Sequence, residues 1–238
     1  MKYSIKGWVK NSFCDWDSKV SSVIFLPRCN MRCPFCQNWE LVQNYDGLED
    51  IDWQSIKSYL DENKDFLDGI VITGGEPFVS DFLFELVKEV KTMGLGIKID
   101  TNGTFPEKLK FLIDTKMVDS VAMDVKNALN TEAYSKASGI RITDEILEKI
   151  VRSIEILMNS DIDYEFRTTV VRNLHSSEDI KKIAEHLNGA KKFVLQQYRN
   201  IGVKKNFDGG KLFSKEELDN LCRDISHFFQ QCFVRFYD

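Results

Sequence analysis

Val20-Ser21-Ser22-Val23-Ile24-Phe25-Leu26-Pro27-Arg28-Cys29-Asn30-Met31-Arg32-Cys33-Pro34-Phe35-Cys36 is the run on which the fold is read. Its first seven residues are rich in Val, Ile and Phe, the composition of a strand. Pro27 cannot continue a sheet ladder, so the strand ends there. A loop follows, with three residues between the first two cysteines and two between the next pair. A strand that hands directly to a loop bearing reactive side chains suits a parallel α/β fold, whose functional groups gather at the carboxyl ends of strands.

The same rhythm continues downstream. Gly69–Thr73, Ile97–Thr101, Ser120–Asp124, Tyr164–Val171 and Lys192–Gln196 are further short apolar runs. Helical patterns lie between them. Phe82, Leu83, Leu86, Val87 and Val90 fall on one face, as do Ile146, Leu147, Ile150, Val151, Ile154 and Leu157. Ile180, Ile183, Ala184 and Leu187 repeat the spacing, Trp53, Ile56 and Leu60 suggest another helix, and Leu109–Ile113 a short one. Ser214 and Glu217 form a capping box ahead of a last helix through Leu218, Leu221 and Ile225.

Alternating strands and helices imply a parallel sheet with helices outside it. Six units are visible where a closed barrel needs eight, so the expected fold is α/β, a partial (β/α)6 TIM-like barrel. Residues 1–19 stand outside the rhythm: Trp8–Cys14 followed by Asp15-Trp16-Asp17 reads as a short N-terminal hairpin on a single domain over 1–238.

Composition narrows the function. Hydrophobic residues make up 43% and charged residues 29%, ordinary for a globular protein whose core needs no disulfide staples. The formal net charge is -5 and the Lys and Arg residues form no long block, which argues against nucleic acid as a partner. Met1-Lys2-Tyr3-Ser4-Ile5-Lys6 lacks an apolar signal core, and no run approaches a membrane span. The expected location is the cytoplasm, where thiols stay reduced, so the six cysteines invite a metal or redox reading.

Three thiolates on one short loop can wrap an iron–sulfur cubane, leaving its fourth iron open to a small molecule. A structural zinc site and an electron-transfer ferredoxin are the alternatives, and both would normally supply four ligands. No fourth Cys or His lies nearby: Cys14 is the nearest upstream, and His175, His186 and His227 are distant.

Cys29-x-x-x-Cys33-x-x-Cys36, with an aromatic residue just before the last cysteine, resembles the signature loop of the radical S-adenosylmethionine superfamily. The resemblance implies that Cys29, Cys33 and Cys36 hold a 4Fe-4S cluster and that S-adenosylmethionine chelates its open iron. One electron then cleaves the sulfonium to methionine and a 5′-deoxyadenosyl radical, with Phe35 near the adenine.

Other strand ends extend it. Thr73-Gly74-Gly75-Glu76-Pro77, alone only a tight turn, matches the family's motif for the methionine end of the cofactor, which implies cofactor contacts for Gly74, Gly75 and Glu76. Asp100-Thr101-Asn102-Gly103 and Asp124-Val125-Lys126, otherwise turn and capping chemistry, resemble segments of the glycyl-radical activating enzymes. That implies a monovalent-cation site from Asp100, Thr101 and Asp124, and a cofactor or substrate contact for Lys126. Arg167, in an apolar strand, needs a partner: a cofactor carboxylate, a ribose or an internal salt bridge. Gln196 and Tyr198 are expected in the pocket wall.

Lys6-Gly7-Trp8-Val9-Lys10-Asn11-Ser12, a hairpin, and then Val23 to Asn38 resemble the anaerobic ribonucleoside-triphosphate reductase activating proteins over essentially the whole chain. The resemblance implies hydrogen abstraction from a glycine of that reductase, with flavodoxin or ferredoxin as electron donor. Three rivals remain: an activase of a pyruvate formate-lyase-like enzyme, a radical enzyme acting on a small molecule or peptide, and a non-catalytic iron–sulfur carrier. Cys14, Cys222 and Cys232 read as small buried apolar residues. The three histidines read as surface or cap residues, and Phe228-Phe229 with Phe233–Tyr237 as core packing or a terminal strand.

Overall fold

A computed structural model describes residues 3–236, so Met1, Lys2, Tyr237 and Asp238 lie outside the described residues. In chain order the elements are β1 (Gly7–Ser12), β2 (Ser21–Leu26), α1 (Trp39–Gln43), α2 (Trp53–Glu62), β3 (Gly69–Gly74), α3 (Leu83–Thr92), β4 (Gly96–Thr101) and α4 (Pro106–Asp114). Then follow β5 (Ser120–Asp124), α5 (Thr131–Ser138), α6 (Asp144–Met158), β6 (Asp163–Val170), α7 (Ser177–His186), β7 (Lys192–Gln197), α8 (Lys215–Ile225) and β8 (Gln231–Arg235). The eight strands lie in sheet order β1 to β8, the order in which they occur in the chain.

β2 pairs parallel with β3, β3 with β4, β6 with β7 and β7 with β8, as a βα repeat demands. The expected six-unit parallel α/β architecture therefore stands, with β8 added from the aromatic tail. β1 is the antiparallel exception. Its hairpin partner is β2 itself, with Trp8 opposite Ile24 and a register shift between Val9 and Ser12, so the N-terminal segment is the sheet's edge strand.

The chain groups into two compact units. One comprises the chain up to Asn30, Glu40–Thr101 and Glu107–Val121; the other comprises Met31–Trp39, Asn102–Pro106 and the chain from Ala122 onward. In the first, Ile70, Val71 and Ile72 of β3 and Ile97 and Ile99 of β4 are fully buried, the continuous apolar reading of strands covered on both faces. α3 closes over them with Leu83, Leu86, Val87 and Val90. In the second, Phe166, Phe193, Val194 and Leu195 are fully buried, and α6 turns Ile150, Ile154 and Leu157 inward. Helix starts follow their caps: Asp52 accepts from Ser55 N, Thr143 from Ile146 N, and Ser176 and Ser214 close capping boxes with Asp179 and Glu217. Among the described residues, no helix is long and apolar enough to cross a membrane.

Two sequence expectations fail here. Cys14 is exposed, and the Cys222 and Cys232 sulfurs lie 2.7 Å apart, so they are a pair and not isolated apolar fillers. His175 is 3% exposed, buried by the fold and not on the surface. His175 is buried on Lys126, 49 residues away, and the Cys222–Cys232 pair forms where the chain passes from α8 to β8; spacing along the sequence displays neither.

Candidate active site

In the first unit, β2 ends at Leu26 and the chain turns sharply. Arg28 adopts φ 69°, a left-handed conformation uncommon for a residue with a side chain, and Cys29 follows at once. The turn is pinned from two sides: Arg28 N donates to Leu41 O at 3.0 Å, and Arg28 O accepts from Glu76 N at 2.8 Å. Gly75 N donates to Leu26 O at 2.8 Å. A Cβ on Gly75 would meet Arg28 O at 1.8 Å, and one on Gly74, at φ 111°, would meet Leu26 O at 2.4 Å. The two glycines thus let the end of β3 press against the backbone that launches the cysteine loop.

Beyond them Glu76 is buried, and its Oε1 accepts from Phe78 N at 3.2 Å and from Thr101 Oγ1 at 2.9 Å. The ends of β3 and β4 are therefore tied by a side-chain bond, with Asp100 half-buried next to Thr101. Glu76 and Thr101 thus meet at the carboxyl ends of neighbouring strands.

In the second unit the rest of the loop is built. Cys36 N donates to Cys33 O at 3.0 Å, closing a turn around Pro34 and Phe35. Arg32 N donates to Ser138 O at 2.8 Å, so the loop rests on the last turn of α5. Gly139 caps that helix at φ 68°, where a Cβ would meet Arg32 O at 2.0 Å. Cys33 is buried and Cys36 half-buried. Burial pushes the Cys33 pKa up to about 11, while the Lys126 ammonium works the other way.

Asp124 and Lys126 leave the end of β5. Asp124 Oδ2 accepts from Lys126 Nζ at 2.9 Å, and Oδ1 from Arg167 Nε at 2.9 Å. Burial alone would raise the Asp124 pKa, but the two cations outweigh it and hold it at about 2. Burial works against the charge on Lys126 as well, and Asp124 keeps its pKa above the ordinary lysine value. Lys126 is thus a fixed positive charge and not a base. Arg167 has taken the salt-bridge option that its position left open. The chain of charge continues outward: Glu165 Oε1 lies 3.8 Å from Arg167 Nη1, and Glu165 Oε2 accepts from Arg235 Nη2 at 3.3 Å.

Sequence reasoning missed three supports of this site. His175 Nδ1 accepts from Val171 N at 3.0 Å, which leaves Nε2–H to donate to Lys126 O at 2.7 Å; burial lowers its pKa, keeping the ring neutral. The ring also meets Phe35 edge-on, with centroids 6.4 Å apart. Tyr134 Oη accepts from Lys126 N at 3.2 Å. Glu165 is two residues before Arg167, hence on the same face of β6, and that alternation was the available signal. Gln196 is half-buried, and Tyr198 is buried with its hydroxyl on Asn200 Oδ1 at 3.1 Å.

Among the described residues, no three His, Cys, Asp or Glu side chains converge as a single metal ion would require. The loop itself offers thiols alone, the donor set that suits an iron–sulfur cluster.

Comparison with known proteins gives four matches. Residues 23–194 match the family model of the radical SAM superfamily. A Methanocaldococcus jannaschii protein named "Putative glycyl-radical enzyme activating enzyme" is 35% identical over 83% of this chain and 81% of its own. The pyruvate formate-lyase-activating enzyme of Clostridium pasteurianum is 25% identical over 87% of this chain and 84% of its own. Among solved structures, Streptococcus suis SuiB bound to S-adenosylmethionine aligns with a TM-score of 0.61 at 15% identity, covering 90% of this chain and 51% of SuiB. That last likeness is one of fold.

Proposed function

This chain belongs to the radical SAM superfamily and to the glycyl-radical enzyme activating enzymes within it, and from that premise we propose that it generates the glycyl radical of an anaerobic ribonucleotide reductase. The observation that carries the general reading is the match over residues 23–194 together with a thiol-only loop set on the ends of parallel strands. The reductase as target rests on the likeness of Lys6–Ser12 and Val23–Asn38 to that group of activases, with no cysteine-rich insert after Cys36.

In this reading one domain spans residues 1–238 and works in the cytoplasm, with flavodoxin or ferredoxin supplying single electrons. When bound, the cluster and S-adenosylmethionine supply one-electron cleavage to methionine and a 5′-deoxyadenosyl radical, which takes one hydrogen from a glycine Cα of the partner and leaves as 5′-deoxyadenosine. Cys29, Cys33 and Cys36 hold the cluster as thiolates, and the charge of Lys126 eases loss of the Cys33 proton against burial. Gly74, Gly75 and Glu76 receive the methionine end, and Phe35, fixed by His175, borders the adenine. Asp100, Thr101 and Asp124 are the oxygen ligands assigned to a monovalent cation; both Asp124 oxygens are shared with Lys126 and Arg167. Lys126 contacts cofactor or substrate backbone, and Arg167, salt-bridged to Asp124, holds that carboxylate in place. No general acid–base pair is required, since no proton is transferred to or from a heavy atom in the abstraction. The chain's task is to hold the reacting carbons in position.

The test mixes the reduced, cluster-loaded protein and S-adenosylmethionine with an anaerobic ribonucleotide reductase and, separately, with a pyruvate formate-lyase. Paramagnetic resonance should show a glycyl doublet on the reductase. A doublet on the lyase alone would move the target to the class of the Clostridium pasteurianum relative.

A further inference from the structure

A part of the second unit remote in sequence from the cysteine loop carries chemistry that the proposed activity does not use. α8 turns Leu218, Cys222 and Ile225 inward, one helical face at i, i+4 and i+7. β8 runs back along β7, with Cys232 opposite Phe193 in the register. The Cys222 and Cys232 sulfurs are 2.7 Å apart, and Cys232 Sγ also donates to Cys222 O at 3.6 Å. Two sulfurs that merely pack keep a wider van der Waals separation, whereas a bonded pair lies at about 2.05 Å. The backbone between them is held. Phe229 N donates to Ser226 O, and Gln230 N and Gln231 N to Ala190 O and Lys191 O. Phe229 stacks on Phe193 at 4.9 Å. Closing the remaining gap asks the two sulfurs to approach by about 0.7 Å.

We propose that Cys222 and Cys232 form a reversible thiol–disulfide site that fastens β8 to α8 when the protein meets a small organic disulfide. The balance is simple. The two cysteine thiols give up two electrons and two protons as their S–S bond forms, and the oxidant takes them up as its own S–S bond breaks, leaving as two thiols. Either sulfur can serve as donor in the contact, so loss of one proton from the pair gives the exchanging thiolate. β8 also carries Arg235, which binds Glu165. The disulfide would therefore fix the strand at the outer end of the ion chain that runs through Arg167 to Asp124.

The experiment uses the anaerobic, cluster-loaded protein. It is incubated with oxidised dithiothreitol, alkylated with iodoacetamide and digested for mass spectrometry, while amide hydrogen exchange follows β8. The expected result is a Cys222–Cys232 peptide pair lighter by two hydrogens, restored to two thiols by reduced dithiothreitol. Cys14, exposed, should be alkylated throughout. Cys222→Ser and Cys232→Ser should each abolish the linked pair while leaving iron content unchanged, and β8 exchange should slow only on oxidation of the unaltered chain. Alkylation of both Cys222 and Cys232 after oxidant, or their linkage to Cys14 or between molecules, would overturn the proposal; unaltered exchange of β8 in the disulfide form would overturn the fastening.

Discussion

Asp124 shows how single residues decide this site. Its carboxylate pairs with Lys126 and with Arg167, each at 2.9 Å, so its loss takes that partner from Lys126 and leaves Arg167 to the more distant Glu165 in a poorly solvated place. Asp124→Asn should cost about 2 kcal/mol in urea unfolding, from the linkage between a lowered pKa and stability. Adding Lys126→Met should return part of that loss, because one uncompensated charge leaves with it. Strict additivity of the two changes would contradict the shared-carboxylate picture. Cys33→Ala should remove iron and the visible absorbance of the reconstituted cluster; retention of both would reject Cys33 as a ligand. At this scale the candidate residues were legible because the three cysteines, Gly74–Glu76 and Asp124–Lys126 are local patterns. The sequence did not display His175, Tyr134 or Glu165, whose work is to hold other residues and whose partners are brought close only by folding.

Among elements, the short helix α5 is the least legible and one of the more consequential. Its eight residues turn only Tyr134, Ala137 and Ser138 fully inward, too few for a periodic signal to stand out. Yet its last turn receives the cysteine loop through Arg32 and Ser138, and Gly139 leaves the space that the loop occupies. Gly139→Ala would impose a side chain on a left-handed residue and press it into Arg32 O. The expected cost is roughly 1–3 kcal/mol, with fewer irons per chain after reconstitution than in the parent protein; normal iron loading at normal stability would show that α5 does not hold the loop. β2, β3, β5 and β7 were readable from continuous apolar runs, and β4 and β6 from apolar residues alternating with Lys98, Asp100, Glu165 and Arg167. β8 was read only as one of two options, since an aromatic tail packs equally well without pairing.

For the molecule as a whole, one contribution to acid stability comes from a cluster remote in sequence from the cysteine loop. Glu89 accepts hydrogen bonds from the Tyr3 hydroxyl, Trp53 Nε1 and Lys57 Nζ, tying the N-terminal segment to α2 and α3. The bonds from Tyr3 and Trp53 lead in lowering its pKa from 4.5 to about 2. A carboxyl with a depressed folded pKa stabilises above its unfolded value, and that stability is lost as the pH falls from about 4.5 towards 2. Glu89→Gln should lower stability at neutral pH by on the order of 1 kcal/mol, discounted for solvent screening of a partly exposed group. It should also flatten the decline of thermal midpoint across that acid window. An unchanged acid profile would remove Glu89 from the account.

The central claim, radical chemistry at the Cys29–Cys36 loop, has a direct measurement. The anaerobically reconstituted protein is reduced with dithionite, given S-adenosylmethionine, and assayed for 5′-deoxyadenosine and methionine. Both should form in equal amounts, and neither in Cys33→Ala; a fully cluster-loaded, reduced protein that binds S-adenosylmethionine and yields no 5′-deoxyadenosine would contradict the account.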